Sequence, residues 1–219
     1  MKRHIITFIF ITLLFPLVSK SQETNLVNNI SLELGLGYNT INWEAESLNK
    51  NTKYNRNQPN ILPSFKLKYS IPIYKINDNS TFAITPFTGY NMFGGKSEKE
   101  PNGYKDMFYL QALEIGILPT YSLSGNYMFY GGFKGQYIFS AKSKAYGSIN
   151  DPIETERKWK TSDCKGLFKN RSFSVGAGFN YMIKRLSIGI ETWFGITNLS
   201  ELESVYENNY RLLLAYRIK

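Results

Sequence analysis

The chain has 219 residues, 42% of them hydrophobic and 16% aromatic, with a formal net charge of +9. Its one histidine is His4 and its one cysteine is Cys164. That composition excludes an internal disulfide and, once the first residues are removed, histidine triads, histidine metal sites and Cys–His nucleophiles.

Residues 1–21 read as an export signal. Met1-Lys2-Arg3 is the charged start, Ile5 to Val18 is an apolar core, and Ser19-Lys20-Ser21 is a small-x-small cleavage site. A membrane helix is the rival reading, but the core falls short of the ~20 residues one needs. No cysteine follows the core, so a lipoprotein anchor is not expected. Cleavage removes three cations and no acid, leaving +6 on residues 22–219, which read as one β-barrel domain. Export makes anionic lipid headgroups, not nucleic acid, the expected counterpart of that charge.

Beyond the signal no segment approaches ~18 consecutive apolar residues, so any membrane crossing must use strands. Eight alternating runs are predicted, each with one apolar and one polar, small-residue face. The first is 30–38, with Leu32, Leu34 and Leu36 opposite Glu33, Gly35 and Gly37. The second, 61–71, sets Phe65, Leu67 and Tyr69 against Ser64, Lys66 and Lys68. The third, 81–93, carries Pro86, and the fourth, 107–121, carries Pro119. The fifth, 127–140, places Phe129, Phe133 and Tyr137 opposite Gly132, Lys134 and Gln136. Strands 171–183 and 186–196 form a hairpin around Lys184-Arg185, and 209–219 closes the series. Each run is about as long as a tilted strand crossing a bilayer. Long connections follow the odd strands and short turns the even ones, the pattern of bacterial outer-membrane barrels with periplasmic turns and termini and extracellular loops. A ten-stranded variant would need a hairpin within 141–170, where no clean alternation is seen. The expected fold is therefore an all-β, eight-stranded, antiparallel up-and-down transmembrane β-barrel.

Alternation alone does not say which face meets lipid. The second face is dominated by glycine and serine, which suits a narrow lumen and not a solvated surface. The apolar face carries Tyr38, Tyr90, Tyr121, Tyr127, Tyr137, Phe173, Tyr181, Tyr210 and Tyr216 near strand ends, like an aromatic girdle. The alternative is a periplasmic lipocalin-like barrel. Pro86 and Pro119 each remove a ladder donor and are expected to share a bulged layer near the turn end.

The Ser21-Gln22 signal end, the eight strands, the segment YLQALEIGILP at 109–119 and the final YRLLLAYRI at 210–218 resemble the PorT-like outer-membrane β-barrel proteins of Bacteroidota. The chain departs from such barrels in ending on Ile218-Lys219, with no terminal aromatic. The resemblance implies an outer-membrane location and recognition by the assembly machinery. It implies no single activity; some members assist secretion.

No catalytic residue, cofactor or metal is expected, and the protein is not expected to be an enzyme. Eight strands with Trp193, Phe87 and Leu213 inside imply a filled lumen, not a pore. Turn centres bring Glu114 toward Lys134 and Glu191 toward Arg211, and closing the barrel sets the first strand between the second and the last, so that Glu33 lies near Lys68 and Arg217, giving structural ion pairs inside the barrel. Residues 141–170 read as a loop with a net charge of +3. Lipopolysaccharide or a protein is its expected partner, and Cys164 is read as an ordinary loop thiol. A structural or loop-mediated role is the first expectation and a secretion accessory the alternative.

Overall fold

The computed structural model describes residues 29–44, 58–96, 105–146, 159–200 and 204–218. The expected signal and its boundary with residue 22 lie outside the described residues. Nine strands are described: β1 (Asn29–Glu44), β2 (Asn60–Asn77), β3 (Ser80–Phe93), β4 (Lys105–Leu123), β5 (Tyr127–Tyr146), β6 (Trp159–Asp163), β7 (Arg171–Ile183), β8 (Leu186–Gly195) and β9 (Ser204–Arg217). A short 3-10 helix, Lys165–Leu167, lies between β6 and β7.

Eight of them close a ring. The order is β4-β3-β2-β1-β9-β8-β7-β5, and β5 pairs back onto β4, so no edge is left among these eight. Every pairing is antiparallel. The ninth strand, β6, pairs with β5 alone, through Lys142–Tyr146. The expected loop at 141–170 therefore contains a hairpin, yet the ring keeps eight strands. Strict alternation does not mark β6, because all five of its residues are exposed.

The period-two pattern sorts side chains as its chemistry demands. Ile61 and Ile115 on the outer face are 70% and 69% exposed, while their lumenal neighbours Leu62 and Glu114 are buried. Aromatic rings gather at both ends of that outer face. Tyr127, Phe129, Phe179 and Tyr181 touch near the short turns, with centroids 5.0–6.3 Å apart. Phe194–Tyr210 and Tyr90–Phe139 pair toward the long connections. Inside, glycines make room for the large rings. A Cβ on Gly176 would come within 2.5 Å of the Trp193 ring, and one on Gly178 within 2.4 Å of Tyr130. Among the described residues, no helix is long and apolar enough to cross a membrane.

Strands run past their expected limits, mostly toward the long connections. β1 continues to Glu44, β5 to Tyr146, and β9 begins at Ser204, not at 209. A register shift after Gln111 leaves Phe139 unpaired in β5. The bulge inverts the phase, so Ile138 and Ala141 both point inward. The prolines behave differently from the expected bulged layer. They lie at one level of the β3–β4 ladder, where Ile84 faces Pro119 and Pro86 faces Ile117. Each opens a gap in its other ladder, which then resumes in the same register: β2 at Tyr69 and Ser70, β5 at Gly131 and Gly132. Hydroxyls bridge this level instead, with Thr120 Oγ1 donating to Thr85 Oγ1 and Thr85 Oγ1 to Ser70 Oγ, both at 3.1 Å.

Candidate functional site

The lumen is layered. Its middle holds eight charged side chains, four carboxylates and four cations, all buried. They form one chain of alternating sign: Lys68, Glu33, Lys66, Glu191, Arg211, Glu114, Lys134, Glu207. Lys68 pairs with Glu33, and Lys66 with Glu191. Lys66 Nζ also lies 3.2 Å from Glu33 Oε1. Arg211 Nη1 is 3.0 Å from Glu191 Oε1 and 3.6 Å from Glu114 Oε1. Lys134 Nζ is 3.2 Å from Glu114 Oε2 and 3.1 Å from Glu207 Oε1. The chain carries no net charge, and each interior member touches two opposite charges, which offsets the desolvation of ions in so confined a space.

Aromatic rings wedge into this layer. Lys134 Nζ sits 4.9 Å from the Trp193 ring centre, and Lys66 Nζ sits 5.4 Å from that of Phe87. Lys68 Nζ sits 4.8 Å above Tyr130. Glu207, the terminal acid, is held by neutral donors as well: Ser174 Oγ at 2.9 Å, Asn209 Nδ2 at 3.3 Å and Asn91 Nδ2 at 3.4 Å. The Gln136 carboxamide, with its nitrogen toward Glu207 Oε2 at 3.0 Å and its oxygen toward Lys134 Nζ at 2.8 Å, completes the shell.

Toward the long connections the lumen turns apolar. Ile41, Phe93, Phe108, Leu110, Ala112, Ile138, Ala141 and Val205 from the strands meet Cys164, Phe168 and Leu199 from the connections. The segment after β6 folds inward over the ring. Cys164 N donates to Ala141 O at 3.0 Å, Lys169 N donates to Leu199 O at 2.7 Å, and Phe168 bridges to Ser200. Cys164 is thus a buried member of an apolar cap, not an ordinary loop thiol. At the opposite end lies a polar vestibule of about 90 Å³, lined by Ser31, Glu33, Lys68, Arg217 and neighbouring hydroxyls.

Register explains which expected partners meet. Glu191 faces Arg211 directly. Glu114 faces Gln136, two residues from Lys134, a diagonal step that a lysine side chain spans. Glu33 faces Lys66 and Ala215, while Lys68 and Arg217 flank Ser31 one step nearer the turns. Lys68 reaches Glu33; Arg217 forms no ion pair with it among the described residues. Two members of the chain were not assigned partners from sequence. Lys66 sits on the expected lumenal face and differs from Lys68 only by depth. Glu207 precedes the expected last strand, 209–219, and the extension of β9 back to Ser204 carries it inside. No group of three or more potential metal ligands occurs among the described residues.

No protein-family model matches the chain, and no curated protein sequence does. Solved structures with related architecture are found. Ail, the attachment invasion locus protein of Yersinia pestis, is 16% identical over 87% of this chain and 97% of its own, with a TM-score of 0.42. Neisserial surface protein A is 12% identical over 86% of this chain and 96% of its own, with a TM-score of 0.39. The outer-membrane enzyme PagL is 9% identical over 85% and 98%, with a TM-score of 0.35.

Proposed function

We propose that the chain is a small integral outer-membrane β-barrel with a sealed lumen, acting through the surface at its long-connection end. The observation that carries this reading is the pairing of a broad exposed apolar face with a self-neutralised interior. Leu34, Leu36, Ile61, Ile115, Ile190 and Leu212, on five of the eight ring strands, are each more than half exposed. Lipid hydrocarbon is the environment that suits such a face, and a soluble barrel would present charges there. Short turns then lie in the periplasm with the termini, and the long connections lie outside the cell.

The outward end offers a binding chemistry. Lys144 Nζ sits 5.3 Å from the ring centre of Trp159, whose ring is also tilted against that of Tyr146 with centroids 5.2 Å apart. Trp159 is exposed. Aromatic faces beside lysines suit a phosphorylated glycolipid such as lipopolysaccharide, or an acidic protein surface. A non-enzymatic role fits a lumen whose charges are bound to one another, and the PorT-like resemblance fits the same location.

Cell fractionation with boiled and unboiled electrophoresis tests the placement. The protein is expected in the outer-membrane fraction with heat-dependent mobility; recovery in soluble periplasm without detergent refutes it. Deletion of the gene followed by comparison of surface proteins tests the role. An unchanged set of exported proteins is expected, and their loss would instead establish a secretion accessory.

A further inference from the structure

We infer that the vestibule at the short-turn end is a binding site for one small tetrahedral oxyanion of the phosphate or phosphomonoester class, held between Arg217, Lys68 and Arg185. Three donors stand in one row across three strands. Ser31 of β1 faces Lys68 of β2 on one side and Arg217 of β9 on the other. Arg217 N donates to Arg185 O at 2.8 Å, which seats the second arginine beside the first. All four residues line the same cavity of about 90 Å³, ample for a few waters or one compact anion.

Charge at this mouth is not closed as it is in the middle layer. Glu33 is the only carboxylate among the lining residues, and it already pairs with Lys66 and Lys68. Arg217 is half-buried and has no carboxylate partner among the described residues. Every charge of the eight-membered chain has an opposite neighbour, so a half-buried guanidinium left without one stands out. Neutral donors surround the same space. Ser70 Oγ accepts from Thr85, which leaves its own proton for a ligand, and Ser187 adds a hydroxyl from β8. Donors converging from four strands suit an anion whose oxygens point in several directions, and paired arginine forks favour phosphate geometry. A planar carboxylate would leave part of the ring unused.

Calorimetric titration of the protein refolded in zwitterionic detergent, with inorganic phosphate as the probe, tests the site. One saturable site per barrel is expected. Arg217→Gln is expected to weaken it about tenfold or more, as loss of a charge-assisted contact should, and Arg217→Lys less. The double variant K142Q/K160Q, at the far end on β5 and β6, is expected to titrate like the parent. Unboiled mobility checks that each variant is folded. Phosphate is also expected to raise the urea midpoint of the parent and not that of Arg217→Gln. Glycerol phosphate distinguishes the sources: binding equal to phosphate identifies a phosphomonoester site open to lipid headgroups, and rejection identifies a site for the free ion. Absence of saturation, wild-type binding by folded Arg217→Gln, or loss of binding in the far-end double variant would each overturn the inference.

Discussion

The lumenal charge chain makes a prediction about position, not merely about charge. Among the described residues Lys134 is the only cation that touches Glu207, so Lys134→Met leaves that buried carboxylate with neutral donors from Ser174, Asn91 and Asn209. Breaking a buried pair in this way costs about 3–5 kcal/mol. Lys66→Met removes the same charge from the chain interior. There Glu33 keeps Lys68 and Glu191 keeps Arg211, so every acid retains a cation. Its cost should be that of charged hydrogen bonds alone, about 1.5–3 kcal/mol. Both variants lose a cation lying over an aromatic ring, so that contribution largely cancels between them. The double variant K134M/E207Q leaves no orphan charge at the end of the chain and should be more stable than Lys134→Met. Urea unfolding of the refolded barrel, followed by tryptophan fluorescence and unboiled mobility, reads all three. A Lys134→Met cost no greater than that of Lys66→Met, or a double variant weakened by the sum of its singles, would refute the alternating-chain account.

Gly176→Ala places a Cβ 2.5 Å from both the Trp193 ring and Thr192 O; about 1–3 kcal/mol of destabilisation is expected from overpacking, measured by the same urea titration. Tyr146 and Trp159 face one another across β5 and β6, so replacing residues 147–158 by a two-residue Asn-Gly turn should leave folding intact by unboiled mobility. Phe168→Ala, by contrast, opens the apolar cap and should cost about 3–5 kcal/mol in the same unfolding assay. In planar bilayers the protein should give no steady porin-sized conductance, because the cap and the charge layer both lie across the lumen.

Local alternation is a one-dimensional signal, and it was enough to place eight strands and to sort their side chains onto two faces. Leu32, Leu34 and Leu36 against Glu33, Gly35 and Gly37 show their faces without any knowledge of neighbours, because a strand reverses side at every residue. The tight turn at Ser124-Gly125, where both residues adopt positive φ, is likewise local and makes Glu114 and Lys134 legible as lumenal neighbours, while the centre of the long connection between β8 and β9 does so for Glu191 and Arg211. Ring closure decided the rest. Which cation meets Glu33 depends on the shear between β1, β2 and β9, and Lys66 and Lys68 are indistinguishable by face. Glu207 entered the lumen only because β9 extends upward beside β1, through cross-strand pairs such as Thr40 with Asn208. The bulge at Phe139 inverts the pattern that a strict period would extend, and β6 has no buried face to announce it. The cap joins residues as distant as Ile41, Phe168 and Val205, whose common burial exists only once the ring is closed and the connection after β6 has folded over it.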